Sequence, residues 1–245
     1  MKHTSKRALL LLVFYALFLA PLAMHCAVYA NSPEFIRHVF ASEDGIVEWL
    51  SFLCFLAAGL LALGTLRYRA RMSRLAFVYL LGLGLAFIAC SGEEISWGQR
   101  LFGYETPHGL MPLNEQGEFN LHNLCMSYLH PVAVLSLFMK LFGIVGPLVV
   151  FLFRKRLEPA GWRYVAPLYL VPCFIVSQLF KTLKRSLIAW LAALWGHEGA
   201  FANMPTSEIS EMYWGLCLLL AMVAIARAWR KECGSVERAL GTWLR

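Results

Sequence analysis

Charge is scarce in this chain: Asp, Glu, Lys and Arg make up 15% of its 245 residues, against about 25% in soluble domains. Hydrophobic residues reach 59% and the mean hydropathy is +0.60. That leaves too little polar surface to coat a water-soluble body of this size. The seven cysteines include no Cys-x-x-Cys pair, which excludes a zinc-ribbon or thioredoxin-type motif and leaves them as small core residues. No internal repeat, low-complexity tract or long linker interrupts the sequence. Solenoids and multi-domain arrays are therefore disfavoured, and residues 1–245 read as a single integral membrane domain.

What the sequence has instead is long apolar runs, at about 8–27, 46–66, 75–91, 132–153, 164–180 and 212–226. They approach or exceed the ~18–20 residues that cross a bilayer. The expectation is an all-α polytopic membrane bundle of about six transmembrane helices. Polar loops at 28–45, 92–131 and 181–211 lie on its outer face, with short interfacial helices such as Ser186–Trp195. The first run follows Lys2, Lys6 and Arg7 and has a longer apolar core than the ~7–15 residues of a signal peptide. An uncleaved anchor is favoured, with a signal peptide ending near Val28-Tyr29-Ala30 as the rival reading.

The net charge of +7 invites a nucleic-acid reading until the charges are placed. Sixteen of the 22 Lys and Arg fall at the N-terminus, at Arg67–Arg74, at Arg154–Arg163 and from Arg227 onward. These segments occupy alternate span ends, hence one side of the membrane. Positive residues stay inside, so both termini are expected in the cytoplasm, the membrane being the bacterial inner membrane. Only Glu158, Glu232 and Glu237 share that side, whereas the other carboxylates and six of seven histidines lie opposite. The basic excess is a topology signal, and nucleic acid is not expected as a partner.

Depth singles out the outer residues. Glu211 precedes Arg227 by sixteen residues, about 24 Å of helix against ~30 Å of hydrocarbon. Glu211, and by similar arithmetic Glu93, sit at or below the outer boundary, and Lys140 lies in the outer half of its span. Ionisable groups at such depth usually face a bundle interior or a wet cavity. Asp44 and Glu48 share a helix face in the second span, where the helix dipole alone accounts for acids in a first turn. Glu93 and Glu94 lie at a helix C-terminus, where the dipole disfavours them. They need a partner such as Arg100, a proton or a metal. Glu118 and His122 are four apart, a spacing that suits one divalent metal or a carboxylate orienting a histidine base, with His130 eight further on. Glu208 and Glu211 share a face at the start of the last span. Lys181, Lys184 and Arg185 break the positive-inside pattern. They read either as residues snorkelling to lipid phosphates or as a rim for an anionic headgroup.

The segment Gly92-Glu93-Glu94-Ile95-Ser96-Trp97-Gly98-Gln99-Arg100-Leu101-Phe102-Gly103, followed by Thr106-Pro107, Gln116-Gly117-Glu118 and Leu121-His122-Asn123, resembles an uncharacterised family of bacterial multi-pass membrane proteins. The resemblance implies the membrane fold and brings no activity with it. The layout of carboxylates is faintly similar to that of ceramidase-like membrane hydrolases. However, the last span offers Glu208 and Glu211 where those enzymes carry a His-x-x-x-His pair.

The expected function is an outward-facing membrane enzyme acting on a lipid or lipid-linked anionic substrate. Glu93, Glu94, His122 and Glu211 are the candidate catalytic residues. Glu94, Glu118, His122, Glu208 and Glu211 are candidate ligands of a divalent metal, the candidate cofactor. Arg100, Lys140, Lys181, Lys184 and Arg185 are candidates for the headgroup. A proton- or ion-coupled transporter and a non-catalytic scaffold subunit stand as alternatives, because buried carboxylates also build proton relays and an outer polar layer can dock a partner.

Overall fold

The computed structural model describes residues 2–40, 45–109, 111, 131–157, 163–182 and 207–243. The fold is an all-α bundle, with no strand among the described residues. Its principal helices are α1 (Lys2–Asn31), α2 (Ile46–Thr65), α3 (Arg74–Glu94), α4 (Pro131–Leu152), α5 (Val171–Thr182) and α6 (Ser207–Trp243). Five of them, α2 together with the 3₁₀ segment Leu66–Arg71 that continues it, supply stretches long and apolar enough to cross a membrane: Arg7–Tyr29, Ile46–Arg71, Arg74–Glu94, Pro131–Leu152 and Glu208–Glu232. The run expected to supply a further span, 164–180, forms a shorter apolar helix over Leu168–Leu179. Pro167 is extended (φ −68°, ψ 149°) and stops the helix from beginning earlier.

Local chemistry explains where each helix starts and bends. Ser73 caps α3, its hydroxyl accepting from the Ala76 N–H at 3.1 Å. Within α4 the register widens to a π-turn over Leu141–Val145, so that the Gly146 N–H reaches the Leu141 carbonyl. In that register Phe142 would look to residue 147 for a donor, but Pro147 has none. The Ala166 N–H, from the extended stretch before α5, fills the place at 3.2 Å. An apolar environment leaves no water to do so.

A proline creates a second such opening in α1. Pro21 cannot donate to the Leu17 carbonyl, and its ring crowds the preceding turn. The fully buried Tyr213 of α6 answers it. Its hydroxyl donates to the Phe18 carbonyl at 3.0 Å and accepts from the Leu22 N–H at 3.1 Å. The Phe18 and Tyr213 rings meet edge to face at 5.0 Å. Nearer the other end of α1, the Tyr15 hydroxyl donates to the Tyr169 carbonyl at 2.6 Å.

The centre of the bundle is α2 packed between α3 and α6. Phe55, Ala58, Leu80, Phe87, Trp214, Leu218 and Met222 form its core. Where α2 crosses α3 the backbones touch: a Cβ on Gly84 would fall 2.5 Å from Leu63, and one on Gly59 would lie 3.0 Å from the Gly84 carbonyl. Small residues at a crossing permit the close packing on which helix association in lipid depends. Between α4 and α5 the buried Ser136 hydroxyl donates to Gln178 Oε1 at 2.7 Å. Outward-facing leucines on α1 to α4, Leu12, Leu60, Leu75 and Leu137 among them, remain exposed. In lipid these faces need no cover.

Candidate carboxylate site at the acidic end

Because α2 runs antiparallel to α3 and parallel to α6, the start of α2, the end of α3 and the start of α6 meet at one end of the bundle. This brings together residues far apart in sequence. Glu94, the last residue of α3, interacts electrostatically with Glu211, Glu208 and Glu48 and is hydrogen-bonded to Ser51. Glu48 lies in the first turn of α2 and Ser51 one turn further on the same face. The Ser51 hydroxyl is fully buried and donates to the Val47 carbonyl at 3.1 Å. Ile209 and Ser210, both buried, lie between the two α6 carboxylates in sequence. Carboxylates of α2 and α6 thus act on Glu94 at the end of α3, where like charges in an apolar setting demand protons or a cation.

Glu93 is differently employed. Its carboxylate accepts the Trp97 indole N–H at 2.6 Å. This bond closes a backbone reversal in which Ser96 (φ 46°), Trp97 (φ 55°) and Gly98 (φ 81°) are all left-handed. Left-handed geometry costs a non-glycine residue about 1–2 kcal/mol, so Ser96 and Trp97 require compensation. The Tyr104 hydroxyl lies 3.3 Å from the Ser96 carbonyl and 3.2 Å from that of Trp97. Gln99 donates to the Thr106 hydroxyl at 3.2 Å. The Trp97 ring lies against Gly92, where an added Cβ would stand 2.9 Å from it. Much of the motif beginning at Gly92 is therefore spent on ending α3 directly after Glu94.

Three further candidates lie on other described elements. Arg100 lies in the short helix Gln99–Phe102, and Lys181 in the last turn of α5. Lys140 is exposed on α4, immediately before its π-turn. Glu118, His122, Lys184 and Arg185 lie outside the described residues. Among the described residues no three His, Cys, Asp or Glu side chains are placed to hold a metal ion. In the sequence Ser51 belongs to no motif, and Glu48 reads only as sharing a helix face with Asp44. Their three-residue spacing was the available signal.

No known protein-family model, curated protein or solved structure matches this chain.

Proposed function

We propose that this chain is a bacterial inner-membrane enzyme that uses its acidic end, on the outer side, to act on a lipid or lipid-linked substrate, with Glu94 as the acid–base group. The observation that carries the reading is that Glu48 of α2 and Glu208 and Glu211 of α6 all act on Glu94, which is hydrogen-bonded to Ser51. A general acid or base needs a fixed position and an environment that lets a proton come and go. The bond to Ser51 fixes the Glu94 carboxyl, and the neighbouring glutamates give it charged surroundings that answer to a proton or a cationic group. The site lies at helix ends at the level of a leaflet boundary, so a substrate already in the bilayer reaches it laterally. Arg100, Lys181, Lys184 and Arg185 are the residues offered to an anionic headgroup. Both termini lie in the cytoplasm in this arrangement, in keeping with the distribution of Lys and Arg.

The test compares lipid extracts from bacterial membranes holding equal amounts of the wild-type chain and of Glu94→Gln, analysed by mass spectrometry. The wild type changes the ratio of one substrate–product lipid pair, and Glu94→Gln leaves it as in cells without the protein. Extracts of wild type, variant and empty control that agree in every lipid class would dismiss the enzyme.

A further inference from the structure

At the end opposite the glutamates, the geometry points to a binding site for the phosphate headgroup of an anionic phospholipid of the phosphatidylglycerol class. Here α2 tightens into a 3₁₀ segment, Leu66–Arg71, which packs against both α3 and α6. It presents Arg67 and Arg69, both exposed, beside the stretch of α6 that carries Arg227, Arg230 and Lys231, also exposed. The described carboxylate at this end, Glu232, is engaged by Arg163 at 2.6 Å, and that guanidinium also covers the Trp229 ring at 5.0 Å. Five exposed cations thus lie at one end of the bundle without a described carboxylate committed to them, and their mutual repulsion favours an anionic partner.

The neighbouring surface says which anion fits. The Arg67 guanidinium lies over the Tyr68 ring, 4.9 Å from its centre. Tyr68 is itself half-buried against the core. Leu75 stands exposed in the first turn of α3, and Leu60 stands exposed on α2, nearly two turns before the 3₁₀ segment. Guanidinium forks match phosphate oxygens, and the leucines offer acyl chains a continuation of the same surface. A soluble phosphate would use only the first of these features. Basic residues at a membrane boundary attract anionic lipid with an energy that corresponds to about fivefold in affinity per residue.

The experiment uses the full-length protein in nanodiscs of phosphatidylcholine alone or with phosphatidylglycerol. Phosphatidylglycerol should raise the thermal unfolding midpoint of the wild type. Arg227→Gln/Arg230→Gln/Lys231→Gln should lose that increment, reflecting about a hundredfold weaker binding. The corresponding Arg→Lys pair at 227 and 230 should keep most of it. Equal increments in wild type and the glutamine variant, or none in the wild type, would overturn the site. So would a full increment from glycerol phosphate in phosphatidylcholine discs. A reading that needs no variant is native mass spectrometry of the wild type. Phosphatidylglycerol should be retained about tenfold over phosphatidylcholine and released in molar salt, where charge interactions are screened within ~3 Å; indiscriminate retention also counts against the site.

Discussion

The opening that Pro21 makes in α1 and the Tyr213 hydroxyl that enters it should behave as one energetic unit. Tyr213→Phe removes a bond to the Phe18 carbonyl and one from the Leu22 N–H, 3.0 and 3.1 Å in the native bundle. Intramembrane polar contacts average about 0.6 kcal/mol, while a buried backbone group left unsatisfied loses about 1–3 kcal/mol. The single substitution should therefore destabilise the bundle by about 1–3 kcal/mol, the ring and its edge-to-face contact with Phe18 being preserved. In a Pro21→Ala background residue 21 regains its N–H and the helix can close on itself, with Phe18 and Leu22 paired internally. There Tyr213→Phe should cost at most about 0.5 kcal/mol. Reversible unfolding of the four proteins in bicelles then gives a coupling of about 1–2 kcal/mol between positions 21 and 213. Additivity within about 0.5 kcal/mol would refute the reasoning, since it would mean that the hydroxyl bonds are indifferent to the proline.

Other expectations are simpler to read. Gly84→Leu should destabilise the α2–α3 crossing by at least about 2 kcal/mol, because Leu63 already occupies the space a Cβ would take, whereas a substitution at the open Gly82 should be mild; unfolding midpoints compare the two. Ser136→Ala should lower stability by about 0.6–1.7 kcal/mol through the lost bond to Gln178, and a change indistinguishable from zero would remove that bond from the account. Glu93→Gln should shift Trp97 fluorescence and lower stability by about 1 kcal/mol while the lipid conversion assigned to Glu94 continues. Loss of that conversion at full stability would instead place Glu93 in the chemistry.

The apolar runs were legible because a span needs only length and composition, both of which a sequence displays directly. The shortness of α5 was not, since it depends on Pro167 remaining extended and on the Ala166 N–H finding the Phe142 carbonyl, a partner in another helix. The meeting of Tyr213 with Pro21 joins positions 191 residues apart at the Leu22 N–H and leaves no local trace. At the acidic end, depth arithmetic could bring Glu93 and Glu211 to one level, but level does not assign partners. Separating Glu93 from Glu94 required the reversal at Ser96-Trp97-Gly98, and propensity gives no reason to expect serine and tryptophan in left-handed geometry. Ser51 was hidden for the opposite reason. A serine inside an apolar helix ordinarily bonds the carbonyl four residues back, as Ser51 does with Val47, so its second bond to Glu94 adds nothing to the sequence pattern.

The glutamate cluster also bears on what the bundle is built for. A carboxylate set among like charges in an apolar setting weakens a fold, and a neutral replacement of the same shape is often stabilising. Glu208 is a poor place to test this, because it occupies the first turn of α6, where the helix dipole contributes about 0.3–1 kcal/mol in its favour. Glu211 lies beyond that turn, so the dipole gives it little, while it interacts with Glu94. The Glu211 carboxylate acts unfavourably on a charge at Glu94, and Glu211→Gln keeps shape and hydrogen-bonding capacity while removing that interaction. The variant should therefore unfold at a higher temperature than the wild type and convert less lipid. Opposite signs in the two measurements are what a site held at the expense of stability produces. A lower unfolding temperature would show instead that Glu211 fastens α6 to its neighbours, and the cluster would then belong to the architecture of the bundle and no longer to its chemistry.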